Sequence, residues 1–502
     1  MRLRAAALAA VLLLTGCVPI ESNSETKPSF ITPPTTPTTV AEYYDQELIW
    51  QKCYQDFECA YAMAPLNWSD VNEKFIQLAL IKKDSENTDE ILLVNPGGPG
   101  VSAVTWVKDG YASLGTANLK RAFDIVTWDP RGVGDSSAVR CSDDALKDEY
   151  LYGQPVGGLN SDADIEAATA VYKNLIKNCV AGTGELISFV GTDQSARDMD
   201  LIRALLGQAK LNYLGYSYGT ELGAKYLALF PENADRFVLD GAVDPTLDDI
   251  QTQLLQAEGF EKAFSNYLEN CLEQSDCPFE GPLANAKSQV AKFLLEREVT
   301  TMPTEIEGRE LGVWGALTGI VAALYSEVSW PVLTDALRKA FDGDGSDLLF
   351  LADFYNDRYI DYGYMTNLTE ANLAISCADA RDIEGKYDLD EINAQILRLA
   401  PTFGRYFETS DVGCEDWPET PALVEYDYRV DLSLAALVIG TTGDPATPYE
   451  QAGNLVELLG DARLMTFEGE GHTAYPGSTC VNRAVEEFLI ESKVSSSNIT
   501  CR

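Results

Sequence analysis

Three residues of this chain have the types and the order that acyl-transfer chemistry needs, and one of them has no substitute. His472, in Gly469-Glu470-Gly471-His472-Thr473, is the one histidine among 502 residues. Imidazole is the side chain whose ordinary pKa lies near neutrality, so base-assisted chemistry at that pH has a single histidine to use. Upstream stands Gly215-Tyr216-Ser217-Tyr218-Gly219, a G-x-S-x-G pentapeptide. A serine hydroxyl attacks a carbonyl only while a base takes its proton, and Ser217 with His472 would supply that pair. Between them Asp444 closes a predicted strand, where a carboxylate would orient the imidazole and stabilise its cation. Asp240 and Asp244, after the predicted strand Phe237 to Leu239, compete for the same role.

The tetrahedral intermediate of acyl transfer needs hydrogen-bond donors aimed at its oxyanion. The N–H of Tyr218, at a helix start, is one candidate. The other is expected from an early strand-to-helix loop, and Asn95-Pro96-Gly97-Gly98-Pro99-Gly100 follows the apolar run Ile91 to Val94. Gly98 is the candidate donor there. The same stretch from Gly98 to Ala103 fits a dinucleotide-binding turn, G-x-G-x-x-A, but Pro99 sits inside it and an exported chain rarely meets nicotinamide cofactors. No cofactor is expected. Nor is a metal, because no C-x-x-C pair occurs and the histidine stands alone.

Holding such residues together takes a sheet with turns at one edge. From Phe75 onward the chain reads as strand, turn and helix: Phe75 to Ile81, Ile91 to Val94 and Phe123 to Trp128 are apolar runs, the last ending in Asp129-Pro130-Arg131-Gly132. Asp193 to Leu206 has helical spacing, Leu211 to Leu214 runs into the serine pentapeptide, and Thr220 to Phe230 is a helix stopped by Pro231. Strands alternating with helices predict a mostly parallel central sheet. The order Ser…Asp…His along such a sheet is that of an α/β-hydrolase. Residues 246–410 break the pattern, being helical and aromatic, and are expected to form an inserted cap. Sheet grammar returns at Leu434 to Ile439, Arg463 to Phe467 and a closing helix from about Val481 to Ile490. The core is thus expected in two parts, 46–245 and 411–502.

The N-terminus points outside the cytoplasm. Arg2 and Arg4 precede the short apolar run Ala5 to Leu14, the pattern of an export signal over residues 1–16. Leu14-Thr15-Gly16-Cys17 resembles a lipobox, which would make Cys17 the lipid-carrying end of a protein on the outer face of a bacterial membrane. Residues 17–45, rich in Pro and Thr, would be the tether. Of 11 cysteines, ten then remain, an even number that predicts disulfides in an exported chain. Pairing of neighbours is the simplest arrangement: Cys53–Cys59, Cys141–Cys179, Cys271–Cys277, Cys377–Cys414 and Cys480–Cys501. With 78 acidic against 37 basic residues and a net charge of −41, nucleic acid and anionic lipid surfaces are disfavoured as partners.

Asn95-Pro96-Gly97-Gly98-Pro99-Gly100, Asp129-Pro130-Arg131-Gly132-Val133-Gly134, Gly215-Tyr216-Ser217-Tyr218-Gly219, Gly443-Asp444-Pro445-Ala446-Thr447-Pro448 and Gly471-His472 together resemble the secreted tripeptidyl aminopeptidases of actinobacteria. These are relatives of prolyl iminopeptidase and similar to lipid-anchored envelope hydrolases of mycobacteria. The resemblance implies an α/β-hydrolase with a helical cap, acting as a serine exopeptidase on peptides with a free N-terminus. A carboxylesterase or amidase of the cell envelope is the alternative within the same chemistry. A surface binding protein without catalysis is the alternative outside it. One departure is Pro96, where prolyl iminopeptidases typically carry histidine before the glycines.

Overall fold

A computed structural model of the protein describes residues 36–502, apart from 55, 86, 87, 89, 142, 382–384, 409–412, 422–425, 430–435 and 494–496. The predicted export signal, Cys17 and the tether as far as residue 35 lie outside the described residues.

The strands in chain order are β1 (Gln51–Cys53), β2 (Phe57–Pro65), β3 (Phe75–Lys83), β4 (Ile91–Asn95), β5 (Asp124–Trp128), β6 (Leu211–Tyr216), β7 (Ala234–Asp240), the short hairpin β8 (Arg358–Tyr359) and β9 (Gly363–Tyr364), then β10 (Ala436–Gly443), β11 (Arg463–Glu470) and β12 (Ile499–Cys501). All but the hairpin form one sheet in the order β1-β2-β3-β5-β4-β6-β7-β10-β11-β12. The first three strands pair antiparallel, as does β3 with β5, and every pair from β5 onward is parallel. Strands β4 and β6 are buried at every position. Helices cover both faces of such a strand, which is why these runs are continuously apolar and do not alternate. Every parallel strand presents its carboxyl end at one edge, and the ends of β4, β6, β7, β10 and β11 carry the chemistry-bearing residues.

Between β7 and β10 the described residues hold seven helices: Asp249–Leu272, Leu283–Val299, Val313–Leu324, Trp330–Phe341, Ser346–Tyr355, Leu368–Asp379 and Leu389–Leu399. Most of them pack on a core of their own, with Phe264, Tyr267, Ile320, Leu337, Leu348 and Phe403 at its centre. The helix Leu368–Asp379 instead packs Ala371, Ala374 and Ile375 into the core under the sheet.

A second insertion, between β5 and β6, was not apparent from the sequence. It contains the helices Asp144–Tyr152 and Asp162–Thr183. The first is tied to the cap through Arg358 and Asp148 (2.7 and 2.8 Å) and through Tyr152 Oη to Asp353 (2.8 Å). The second packs Leu175, Ile176 and Cys179 into the main core.

All five cysteine pairs are bridged in the neighbour arrangement. Among the described residues no helix is long and apolar enough to cross a membrane.

The Asp129-Pro130-Arg131-Gly132 motif proves structural in its detail. Arg131 is fully buried. Its guanidinium donates to both oxygens of Asp198 at 2.7 Å, and to the carbonyls of Leu66 (2.9 Å), Phe189 (3.0 Å) and Pro65 (3.2 Å). Removing one member of a buried pair leaves the other charged and unpartnered. Asp198→Ala is therefore expected to cost about 3–5 kcal/mol, measured by urea unfolding with the disulfides intact; a loss under about 1 kcal/mol, the range of surface pairs, would show that the pair does not hold the fold.

Candidate active site

The serine pentapeptide spans the junction of β6 with the helix Tyr218–Leu229. Ser217 stands at the corner with φ 55° and ψ −127°. A non-glycine residue is rarely held there, and such strain persists only where surrounding bonds enforce it. Here the Ser217 N–H donates to the Asp240 carbonyl (2.9 Å), while the Ser217 carbonyl accepts from the Thr220 N–H (2.7 Å) and hydroxyl (2.6 Å). The corner lifts the serine above the sheet edge at the start of the helix. Tyr218 N–H belongs to the first turn and has no intrahelical acceptor.

The loop after β4 lies against this corner. A Cβ on Gly97, which has φ +92°, would come within 2.4 Å of the Tyr216 carbonyl oxygen, 3.0 Å of Ser217 Cβ and 3.1 Å of the Tyr218 nitrogen. No side chain fits, so the position requires glycine. Asn95 Oδ1 takes the Gly97 N–H (2.9 Å), leaving Gly98 as the next amide the loop can offer. Asp129 steadies the far side of the loop, accepting from Ser102 Oγ (3.0 Å) and the Val104 N–H (3.0 Å) where the helix Ala103–Gly110 begins. Complete burial pushes the Asp129 pKa up to about 6, against the pull of those donors.

Asp444 and His472 meet at the ends of β10 and β11. The imidazole Nδ1 lies 3.0 and 2.9 Å from the two carboxylate oxygens, with the Asp444 side chain fully buried and that of His472 10% exposed. The Asp444 carboxylate is held in a turn of its own sequence: Oδ1 accepts from the Ala446 and Thr447 N–H groups (2.9 Å each) and Oδ2 from Thr447 Oγ1 (3.0 Å). That accounts for the Gly443-Asp444-Pro445-Ala446-Thr447 motif. Asp244, one competitor, instead accepts from Thr246 and Asn454. The other competitor, Asp240, binds the main chain beyond His472 at Ala474 and Tyr475. Among the described residues the Ser217 hydroxyl makes no hydrogen bond. Of the two hydrogen bonds that link such a serine, histidine and aspartate, the structure shows the one between His472 and Asp444.

Two contributors escaped the sequence reading. Thr447 lies inside the Gly443–Pro448 motif, whose pattern does not show that its amide and hydroxyl hold Asp444. Tyr325 of the cap packs edge-on against the imidazole (5.4 Å between ring centres, 90°) and its carbonyl accepts the His472 N–H (2.8 Å). Tyr325 was one of many aromatic residues in the insertion, and nothing in its local sequence distinguished it. A cleft of about 600 Å³ opens beside Pro99 and Tyr218 and is lined by Glu221, Asp249 and Asp379 as well as Lys225 and Arg381. Among the described residues no group of three or more His, Cys, Asp or Glu side chains gathers to hold a metal.

The alpha/beta hydrolase fold family profile matches residues 90–478. The chain belongs to the α/β-hydrolase family. This α/β-hydrolase is 34% identical to the serine protease Hip1 of Mycobacterium tuberculosis over 88% of its length and 87% of that protein. It is 32% identical to carboxylesterase B of the same species, over 88% and 86%. To the tripeptidyl aminopeptidase of Streptomyces lividans it is 28% identical, over 90% and 86%. The expected kinship with actinobacterial hydrolases is met, and with it the expectation of a serine hydrolase.

Burial pulls the imidazole pKa of this α/β-hydrolase down. The charge and hydrogen bond of Asp444, joined by the charge of Asp240, outweigh burial and leave it above its ordinary value. As the one histidine, His472 supplies the only imidazole resonances of the protein. Its NMR titration is expected to have a midpoint above 6.5, the ordinary value; a midpoint below that would mean the carboxylate contact is absent in solution.

Proposed function

We propose that the protein is a serine exopeptidase that cleaves peptide bonds near a free N-terminus through an acyl-enzyme. Ser217 attacks the scissile carbonyl while His472 accepts its proton. The same imidazole then delivers that proton to the leaving amine. Asp444 holds Nδ1 as the donor and offsets the cation formed at each step. The N–H groups of Tyr218 and Gly98 stabilise the oxyanion. The observation that carries this reading is the buried Asp444–His472 contact beside a serine held at a strained corner. Likeness to a protein named a serine protease supports the peptidase reading, and likeness to one named a tripeptidyl aminopeptidase supports the exopeptidase one. Although Lys225 is paired with Glu221 and Asp379, the cleft beside Pro99 and Tyr218 carries more carboxylates than cations, a balance that suits a substrate ammonium group.

The likeness to a carboxylesterase favours a second reading within the same chemistry, an envelope esterase or amidase. We also propose that the enzyme is exported and held by a lipid on Cys17 at the outer face of the cell membrane; the basic, apolar and lipobox segments of its first 17 residues support this. The net charge of −41 suits peptide substrates better than nucleic acid.

His472→Ala and Ser217→Ala are each expected to lower kcat by at least ~10⁴-fold with the fold intact, and Ser217→Ala to abolish fluorophosphonate labelling. Normal turnover in either variant would sink the mechanism, and a parent enzyme that resists the probe would point to a binding protein without catalysis. Peptidyl arylamides with a free amine are expected to be cleaved in preference to the same compounds acetylated at that amine. Indifference to acetylation would favour the esterase or amidase reading. In the pH–rate profile kcat/KM should fall as pH drops through the raised imidazole pKa, because the protonated ring cannot accept the serine proton; an acid limb below pH 6.5 would contradict that pKa.

A further inference from the structure

Asp240 competed for the triad on sequence grounds, and the structure gives it other contacts. It ends β7, opposite Tyr216 of β6 on one side and Ile439 of β10 on the other. Its carbonyl accepts the Ser217 N–H at 2.9 Å. Its carboxylate has no exposed surface. Both oxygens lie 3.0 Å from the Ala474 N–H, and one accepts from Tyr475 N–H at 2.7 Å. Those two amides follow His472 by two and three positions. The next residue, Gly241, has φ +69°, and a Cβ there would lie 3.1 Å from His472 Cε1 and 3.4 Å from Nδ1. The imidazole therefore rests on bare backbone adjoining Asp240.

We propose that Asp240 is a positioning residue which sets the serine corner and the histidine loop in register, through its carbonyl on one and its carboxylate on the other. The inference rests on the triad reading. A carboxylate suits the task because it only accepts, at both oxygens, where two N–H groups converge. Asparagine in its place would turn an NH₂ toward one of them. A buried carboxylate is costly to keep ionised. Burial pushes the Asp240 pKa up to about 7, while the Tyr475 and Ala474 N–H groups and His472 favour the anion and Asp444 opposes it. The titratable groups around it are His472 and Asp444 on the neighbouring loops, Tyr216 on β6, and Tyr475. Its negative charge also adds to that of Asp444 in raising the imidazole pKa.

Asp240→Asn and Asp240→Ser in the otherwise unaltered enzyme test this, with competent sites counted by fluorophosphonate titration. Expected is a fall of about 10–100-fold in kcat per titrated site, the scale of a misplacement near 1 Å, with KM unchanged and the acid limb of kcat/KM moved to lower pH. A carboxylate that served the fold alone would reduce the number of titrated sites and leave kcat per site and the acid limb in place. That result overturns the proposal, as does parental behaviour in either folded variant or loss of cooperative melting in both. Ser217→Ala in the same series keeps the two failures apart. If it turns over normally the triad reading falls; if it is inactive while the Asp240 variants match the parent, only the role of Asp240 falls.

Discussion

A buried carboxylate meeting a nearly buried imidazole is the constraint around which the rest of the molecule is organised. An ionised Asp444 could not stay buried unless its oxygens were filled. Two amides, a threonine hydroxyl and the ring N–H of His472 do so. The same arrangement raises the pKa of the imidazole despite its burial. A parallel sheet brings the partners together cheaply. Neighbouring strands β10 and β11 end at one edge, so two residues 28 positions apart, with a helix between them, meet after a single return of the chain.

The serine corner is assembled from the same edge by a different device. Ser217 is strained, and the bonds that hold it come from Asp240 on β7 and Thr220 on the following helix. The glycine loop after β4 then packs against it so closely that no Cβ fits at Gly97. Both features trade local conformational freedom for a half-buried serine at a helix start, pressed against a glycine loop. That trade makes sense where charge must be stabilised as it develops on a carbonyl oxygen.

The cap contributes more than cover. Tyr325 places an aromatic edge on the imidazole and a carbonyl on its backbone N–H, so the histidine loop is braced from above as well as from the sheet. The cap has its own apolar core, and its braces to the second insertion run through ion pairs and a tyrosine hydroxyl. The histidine thus sits between two separately packed layers. Its environment depends on how those layers dock.

Local sequence was enough to determine the parallel strands, the serine corner and the glycine loop, whereas the pairing of the cysteines, for which neighbours were only the simplest arrangement, was decided by the fold. Apolar runs closed by glycine, and the G-x-S-x-G pattern between a strand and a helix, have short-range physical causes. Local order pointed to Asp444 as the carboxylate that meets the imidazole but gave no contact that excluded Asp240. Asp240 ends β7 and Asp444 directly follows β10, and only the approach of the loop after β11 gives Asp444 the ring nitrogen and Asp240 the amides two and three residues on. The contacts of Tyr325 and of the helices Asp144–Tyr152 and Asp162–Thr183 were hidden for the same reason. A hydrophobic period tells which face of an element is buried, whereas the partner on that face is chosen by contacts between residues far apart in the chain, and those exist only once the sheet and its insertions have packed.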